Sequence, residues 1–241
     1  MKNFSAVALA MSCLMLVACG ESGTGGSEDD THGGVTQGQP DWDSYEESKV
    51  EAEALESVAN ISSQPWNTRV DTTPTQDTAS MRGVFSFDTG AVEAATGVNR
   101  SIVGEMTMEA DFGAGTVSGQ LHNTFVDYGS EHDPLSGSLS YQGDVEIAAG
   151  ETDLTTRNDE NPINTDINAN GGASLTSGDG TTYNVLLDVF GDVHEIPVVG
   201  DGQIVAVDGL LEGNVTLTDA DGITDPTVYD LDGEYFVHED E

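Results

Sequence analysis

Residues 166–171 read Asp-Ile-Asn-Ala-Asn-Gly and place side-chain oxygens at every second position. Asp166, Asn168 and Asn170 match the first half of a calcium-binding loop, in which carboxylate and amide oxygens surround a hard cation. The twelfth position would be Ser177, where an EF-hand has a bidentate glutamate. The surrounding stretch, 150–172, is polar and indicates a surface loop. Calcium is thus a candidate cofactor, and a surface loop without metal is the simpler interpretation.

No motif for other chemistry occurs in the sequence. Cysteine occurs only twice, and no two of the five histidines have the close spacing of metal ligands. The glycine patterns of a nucleophile elbow, a phosphate loop and a dinucleotide site do not occur. Pairs of carboxylates carry no information, because 44 Asp and Glu residues produce such pairs by chance. We therefore predict a protein that is not an enzyme, without catalytic residues and without a further cofactor.

The N-terminus has the pattern of an export signal that ends at Cys19. Lys2 supplies a positive charge, and residues 4–17 form an uncharged apolar stretch too short to anchor a protein permanently in a bilayer. Residues 16–20 read Leu-Val-Ala-Cys-Gly and resemble the bacterial lipobox. The resemblance implies a signal peptide over residues 1–18 and acyl chains, such as palmitate, on Cys19 that hold the protein on a membrane. The alternative is an ordinary secretory signal with a chance cysteine.

The residue after Cys19 bears on the destination of such a lipoprotein. In lipoproteins an aspartate at this position usually marks retention in the inner membrane, and Gly20 stands there instead. The resemblance therefore implies the outer membrane. No later stretch approaches 18 consecutive apolar residues, so the sequence predicts membrane attachment through the N-terminal lipid alone.

The composition divides the mature chain into a polar part and a part able to form a core. Leu, Ile, Val and Phe account for six of the 62 residues from 19 to 80, and they are far more frequent afterwards. The Gly-, Ser- and acid-rich segment 19–40 predicts a flexible tether. Residues 41–61 have helical spacing after a capping Asp41 or Asp43, and 62–80 read as a linker. The domain itself is predicted over 81–241.

Residues 81–241 alternate between apolar and polar side chains with the period of a β-strand. In residues 102–108 and 117–121, for example, every second residue is apolar or glycine. Short turn signals rich in Gly, Asp and Pro separate eight or nine such segments, and helical periodicity is almost missing. The predicted fold is mainly β: an antiparallel eight-stranded barrel, whose closure leaves no exposed edge.

Two segments of this domain resemble a known family. Residues 104–121 read Gly-Glu-Met-Thr-Met-Glu-Ala-Asp-Phe-Gly-Ala-Gly-Thr-Val-Ser-Gly-Gln-Leu and resemble a strand–turn–strand unit in the β-barrel domain of transferrin-binding protein B. Residues 232–236 are similar to a late strand of that family, to which factor H-binding protein is related. The resemblance implies an eight-stranded barrel on the cell surface that binds a host protein or iron carrier. The family's two-lobed receptors are longer, so transferrin binding itself does not carry over.

The charge of the chain narrows the class of partner. With 6 Lys and Arg against 44 Asp and Glu, the net charge is −38. This balance argues against nucleic-acid binding, because phosphate recognition depends on clustered Lys and Arg. Together with the lipobox and the barrel, this predicts a binding module for an extracellular protein or solute. The alternatives are a structural envelope lipoprotein without a specific ligand and a calcium-stabilised, adhesin-like module. No feature of the sequence indicates an oligomeric state.

The same charge predicts a salt-dependent stability. Mutual repulsion of carboxylates destabilises a compact state, and salt shortens the screening length from about 8 Å at physiological ionic strength to about 3 Å at 1 M. We expect the free energy of unfolding to rise between low and molar sodium chloride, as measured by thermal or urea unfolding. Equal stability at both salt concentrations would contradict this prediction.

Overall fold

A computed structural model describes residues 39–62, 76–92, 99–149, 163–198 and 202–239. The predicted signal peptide, Cys19 and nearly all of the tether lie outside these residues, as does most of the linker. Within the described part, no helix combines the length and the apolar character that a membrane crossing requires.

The described residues form one helix and nine strands. Helix α1 spans Trp42–Ser62 and corresponds to the helix predicted over 41–61. The strands begin slightly before the predicted domain boundary and have the following bounds: β1 Thr78–Val92, β2 Asn99–Asp111, β3 Thr116–Asp127, β4 His132–Ser136, β5 Leu139–Ala149, β6 Ile163–Ser177, β7 Thr182–Val198, β8 Gly202–Thr218 and β9 Thr224–His238.

The strands form a single antiparallel sheet that closes into a ring. β1 pairs with both β2 and β9, and the remaining neighbours follow around the ring. β4 and β5 each pair with β3 on one side and with β6 on the other. The two short strands therefore share one position of the ring. Gly137, with a φ of 116°, lies between them. The ring thus has eight positions, and the predicted mainly-β barrel preceded by one short helix is confirmed.

The interior of the barrel is filled by hydrophobic side chains. Inward-facing residues alternate with outward-facing ones along the strands, except where β3 is interrupted at Asn123. The largest inward side chains are almost completely buried; they include Phe85, Phe87, Met106, Leu121 and Tyr183. Each such side chain contributes on the order of 1.5–3 kcal/mol by leaving water.

The prediction of a surface loop over 150–172 is wrong for residues 163–172, which belong to β6. β6 pairs with β5 on one side and with β7 on the other. Its inward residues include Thr165, Ile167 and Ala169, which are buried although two of them are small or polar. The small inward side chains conceal the alternation that would otherwise have identified a strand.

Helix α1 is joined to the barrel through Asp41, the capping residue directly before it. Asp41 caps the helix, since its Oδ1 accepts a hydrogen bond of 3.1 Å from the backbone N–H of Asp43. The backbone N–H of Asp41 donates to Oδ1 of Asn123 at 2.6 Å, and Nδ2 of Asn123 donates to the carbonyl of Asp41 at 2.9 Å. Asn123 has a φ of 47° and lies where the register of β2 and β3 shifts. This irregularity of β3 therefore holds the start of the helix.

Apolar contacts hold the helix at two further places. Near its start, Trp42 packs edge-on against Phe125 at a centroid distance of 5.0 Å and stacks on His132 at 3.7 Å. Further along, Ala52 is buried in a cluster with outward residues of β7, β8 and β9, namely Ile196, Ile204, Ala206 and Phe236. The helix thus lies on the outer surface of the barrel and does not enter it.

Close packing of the strands predicts the effect of adding one carbon atom at Gly233. A Cβ at this position would lie 2.2 Å from the carbonyl oxygen of Ser86 and 2.3 Å from Cβ of Phe87. We expect Gly233→Ala to lower the free energy of unfolding by about 1–3 kcal/mol, as measured by urea unfolding. The control is Gly178→Ala, because a Cβ at Gly178 has no neighbour within 4 Å. Equal effects of the two substitutions would contradict the prediction.

Candidate functional site

A cleft of about 660 Å³ lies beside α1 on the barrel surface. The helix lines it with Tyr45, Lys49, Ala52, Glu53 and Glu56, whose spacing of three and four residues places them on one helical face. The other wall comes from β1 and from β5 to β9. Because α1 is fixed to the barrel at both of its contact regions, the wall of the cleft that the helix supplies has a defined position.

The cleft contains an exposed apolar pair. Phe190 of β7 and Leu210 of β8 lie directly opposite each other in the sheet and line the cleft. They face outward, and 36% and 51% of their surfaces are exposed. Large apolar side chains exposed next to each other are candidates for contact with a ligand.

A row of carboxylates crosses the sheet next to this apolar pair. Glu146 lies opposite Asp166, Asp166 opposite Asp192, and Asp192 opposite Asp208. All four line the cleft, and we call them the cleft row. Directly opposed residues have Cβ atoms roughly 4.5–5.5 Å apart, so like charges here repel one another. The exposed Asp208 has a close contact between its Oδ1 and Nε2 of His194, which supplies one neighbouring donor.

A second row of carboxylates lies on the other side of the apolar pair. Asp188 of β7 lies opposite Glu212 of β8, which in turn lies opposite Asp232 of β9. All three are exposed, and we call them the outer row. Phe190 and Leu210 are therefore flanked on both sides by acidic side chains that point in the same direction.

The electrostatics of the cleft favour a cation. Seven carboxylates line it, against Lys49 as the single basic residue among the described lining residues. Tyr235 also lines the cleft; burial raises the pKa of its hydroxyl, and the charges of Asp208 and Asp192 raise this pKa further. The negative charge of the cleft therefore acts even on the hydroxyl of Tyr235, a residue that is only 4% exposed. Walls of one sign of charge concentrate ligands of the opposite sign.

The predicted calcium ligands are only partly brought together. Asp166 and Asn168 line the cleft, whereas Asn170 lies beyond it on the same strand. Alternate residues of a strand are roughly 6.6 Å apart, while a calcium ion needs its ligands at about 2.3–2.6 Å. No group of three or more His, Cys, Asp or Glu side chains within the described ranges could hold a metal ion. Calcium binding stays a prediction, without the loop geometry on which it was based. Cys19 lies outside the described residues.

The sequence does not reveal the residues that define the cleft. Its alternation places Phe190 and Leu210 in strands without indicating a role, and nothing in it distinguishes Asp192 and Asp208. One signal lies in β7. Leu186 and Phe190 are apolar although they occupy outward positions, because the residues next to them in the strand already face inward. An apolar residue at an outward position is the feature that a period-two pattern can flag.

Glu105 connects the helix to the barrel at one end of the cleft region. Its Oε1 accepts hydrogen bonds from the hydroxyls of Ser44 at 2.7 Å and Ser48 at 3.3 Å. Its Oε2 lies 3.5 Å from Nδ1 of His122, whose side chain is only 17% exposed. Burial lowers the pKa of His122, and the charge of Glu105 opposes this effect.

The lowered pKa of His122 predicts a loss of stability in weak acid. Below the ordinary pKa of about 6.5, the unfolded chain takes up a proton at this residue more readily than the folded chain does. His122 therefore favours unfolding increasingly as the pH falls from 7.5 to 5, by at most about 1.4 kcal/mol per pH unit. Chemical unfolding at constant ionic strength should show a shallower pH dependence for His122→Asn than for the wild type. Parallel pH profiles would contradict the prediction.

Comparison with models of protein families, with curated proteins and with solved structures finds no match to this chain.

Proposed function

We propose that the chain is a lipid-anchored protein of the outer membrane, exposed on the cell surface, whose barrel binds an extracellular protein or solute in the cleft beside α1. The lipobox at Cys19 and the Gly- and Ser-rich segment after it support anchoring and display. The observation that carries the binding function is the exposed pair of Phe190 and Leu210 between two rows of carboxylates.

The carboxylate rows support a binding role over a purely structural one. Directly opposed like charges lower the stability of a sheet, so they bring no advantage to a protein whose role is purely structural. Function commonly retains arrangements that break such local rules. A structural envelope lipoprotein without a ligand is the alternative that the experiment must separate from the proposal.

The first arm of the experiment tests display and anchoring on intact cells. Protease added outside the cells should remove the barrel domain of the wild type, and a clickable palmitate analogue should label the protein. Cys19→Ser should abolish the label, because the thiol to which the lipid is attached is gone. A barrel that survives the protease while other surface proteins are cut, or a label that persists in Cys19→Ser, would contradict the proposal.

The second arm tests binding on the same cells. Cells are incubated with a biotinylated extracellular medium, and the retained components are quantified. The double variant Phe190→Ser/Leu210→Ser should lose at least ten-fold of the retained signal, because the apolar floor of the cleft becomes polar. The matched control is Leu186→Ser/Val228→Ser, whose parent residues are 61% and 59% exposed outside the cleft. A wild type that retains no more than cells without the protein would favour the structural role.

A further inference from the structure

The outward side chains of β7 and β8 form three consecutive rows of defined spacing. On β7 and β8, the cleft row contributes the opposed pair Asp192 and Asp208, and the outer row contributes the pair Asp188 and Glu212. The pair Phe190 and Leu210 lies between them, two residues along the strands from each. Two residues of a strand span roughly 6.6–6.8 Å, so the two acidic rows lie about 13 Å apart with the apolar row midway. The surface therefore alternates acidic, apolar and acidic in a fixed direction.

The matching ligand must present basic, apolar and basic groups at the same spacing. In an extended peptide, side chains at positions i, i+2 and i+4 point to one side and are also roughly 6.6–6.8 Å apart. A peptide running along β7 and β8 thus places Lys or Arg over each acidic row and an apolar side chain over Phe190 and Leu210. Lys and Arg reach the carboxylates through long side chains, so small differences in spacing are tolerated.

Two alternatives fit this surface less well. On a helix, residues that return to the same face are seven or eleven positions apart, about 10.5 or 16.5 Å along the axis, and neither distance matches the roughly 13 Å between the two acidic rows. A peptide added to the sheet by main-chain pairing needs a free edge, and the ring of strands is closed. Recognition therefore depends on side chains and on an extended ligand.

We propose that the cleft, together with the outer row that adjoins it outside the cleft lining, binds an extended, basic segment of an extracellular protein with the pattern basic–x–apolar–x–basic. This inference rests on the proposed binding function of the cleft and specifies its partner. Asp192 and Asp208 supply the carboxylates of one acidic row, and Asp208 also contacts His194. Glu53 and Glu56 on the helix wall add further negative charge facing the same ligand.

The test uses synthetic fluorescent peptides and the full mature lipoprotein in detergent micelles. The first peptide has the sequence Thr-Lys-Ser-Leu-Thr-Lys-Ser, with both termini blocked. The second has the same composition but adjacent lysines, and the third has Glu in place of Lys. Fluorescence anisotropy should show at least ten-fold tighter binding of the first peptide than of the second, no binding of the third, and weaker binding as salt rises.

Protein variants separate binding from damage to the fold. Phe190→Ser/Leu210→Ser and, separately, Asp188→Asn/Glu212→Gln should each weaken binding of the first peptide at least ten-fold. The second pair removes two directly opposed like charges, so its melting temperature should stay equal or rise. Leu186→Ser/Val228→Ser is the control that leaves the peptide affinity unchanged.

Several outcomes would overturn the inference. Equal affinity for the first two peptides would show that spacing does not matter. Spermidine binding as tightly as the peptide, and unaffected by Phe190→Ser/Leu210→Ser, would identify a small polyamine as the ligand class. Absence of peptide binding while cells still retain an extracellular component through the cleft would refute the basic segment and leave the proposed function intact. If the protein binds neither the peptide nor an extracellular component through the cleft, both the inference and the proposed function are refuted.

Discussion

Closure of the antiparallel ring is the constraint on which the rest of the structure depends. A closed ring pairs each strand on both sides, so the register of any strand is set by two neighbours. Register in turn decides which side chains fill the core and which face water. A shift by one residue would exchange Val189 and Phe190 between the two faces, and the carboxylate rows would point inward. The cleft exists because the hydrophobic core on the other face forbids that shift.

Much of the fold follows from the sequence, because alternation is visible wherever the inward side chains are large. Met106, Met108 and Leu121 identify their strands, and of the two predicted caps, Asp41 and Asp43, the structure shows Asp41 at the start of the helix. The first half of β6, residues 163–172, is not predicted as a strand because Ala169 and the glycines beside it supply too little contrast with the outward asparagines. The rule that failed in this half of β6 was therefore one of contrast in side-chain size, whereas the period of two itself is interrupted in β3 at Asn123.

The cleft could not be predicted, because it depends on residues that are distant in the chain. Asp192 and Asp208 become neighbours through strand pairing, and the opposite wall comes from Glu53 and Glu56, far upstream in α1. In a chain with 44 acidic residues, nothing distinguishes these carboxylates until the register is known. The same applies to Asn123, an ordinary strand residue by sequence, which sets the position of the helix.

The attachment of Asp41 to Asn123 also has a mechanical consequence. Within the described residues, a force applied to the chain at residues 39 and 40 reaches α1 and the barrel first at Asp41. Two hydrogen bonds to Asn123 and the stack of Trp42 on His132 take up this load and pass it to β3 and β4. A pull too weak to break these contacts leaves the far end of α1, and with it the wall of the cleft, undisturbed. The wall of the cleft that α1 supplies is thus insulated from a force applied just before the helix.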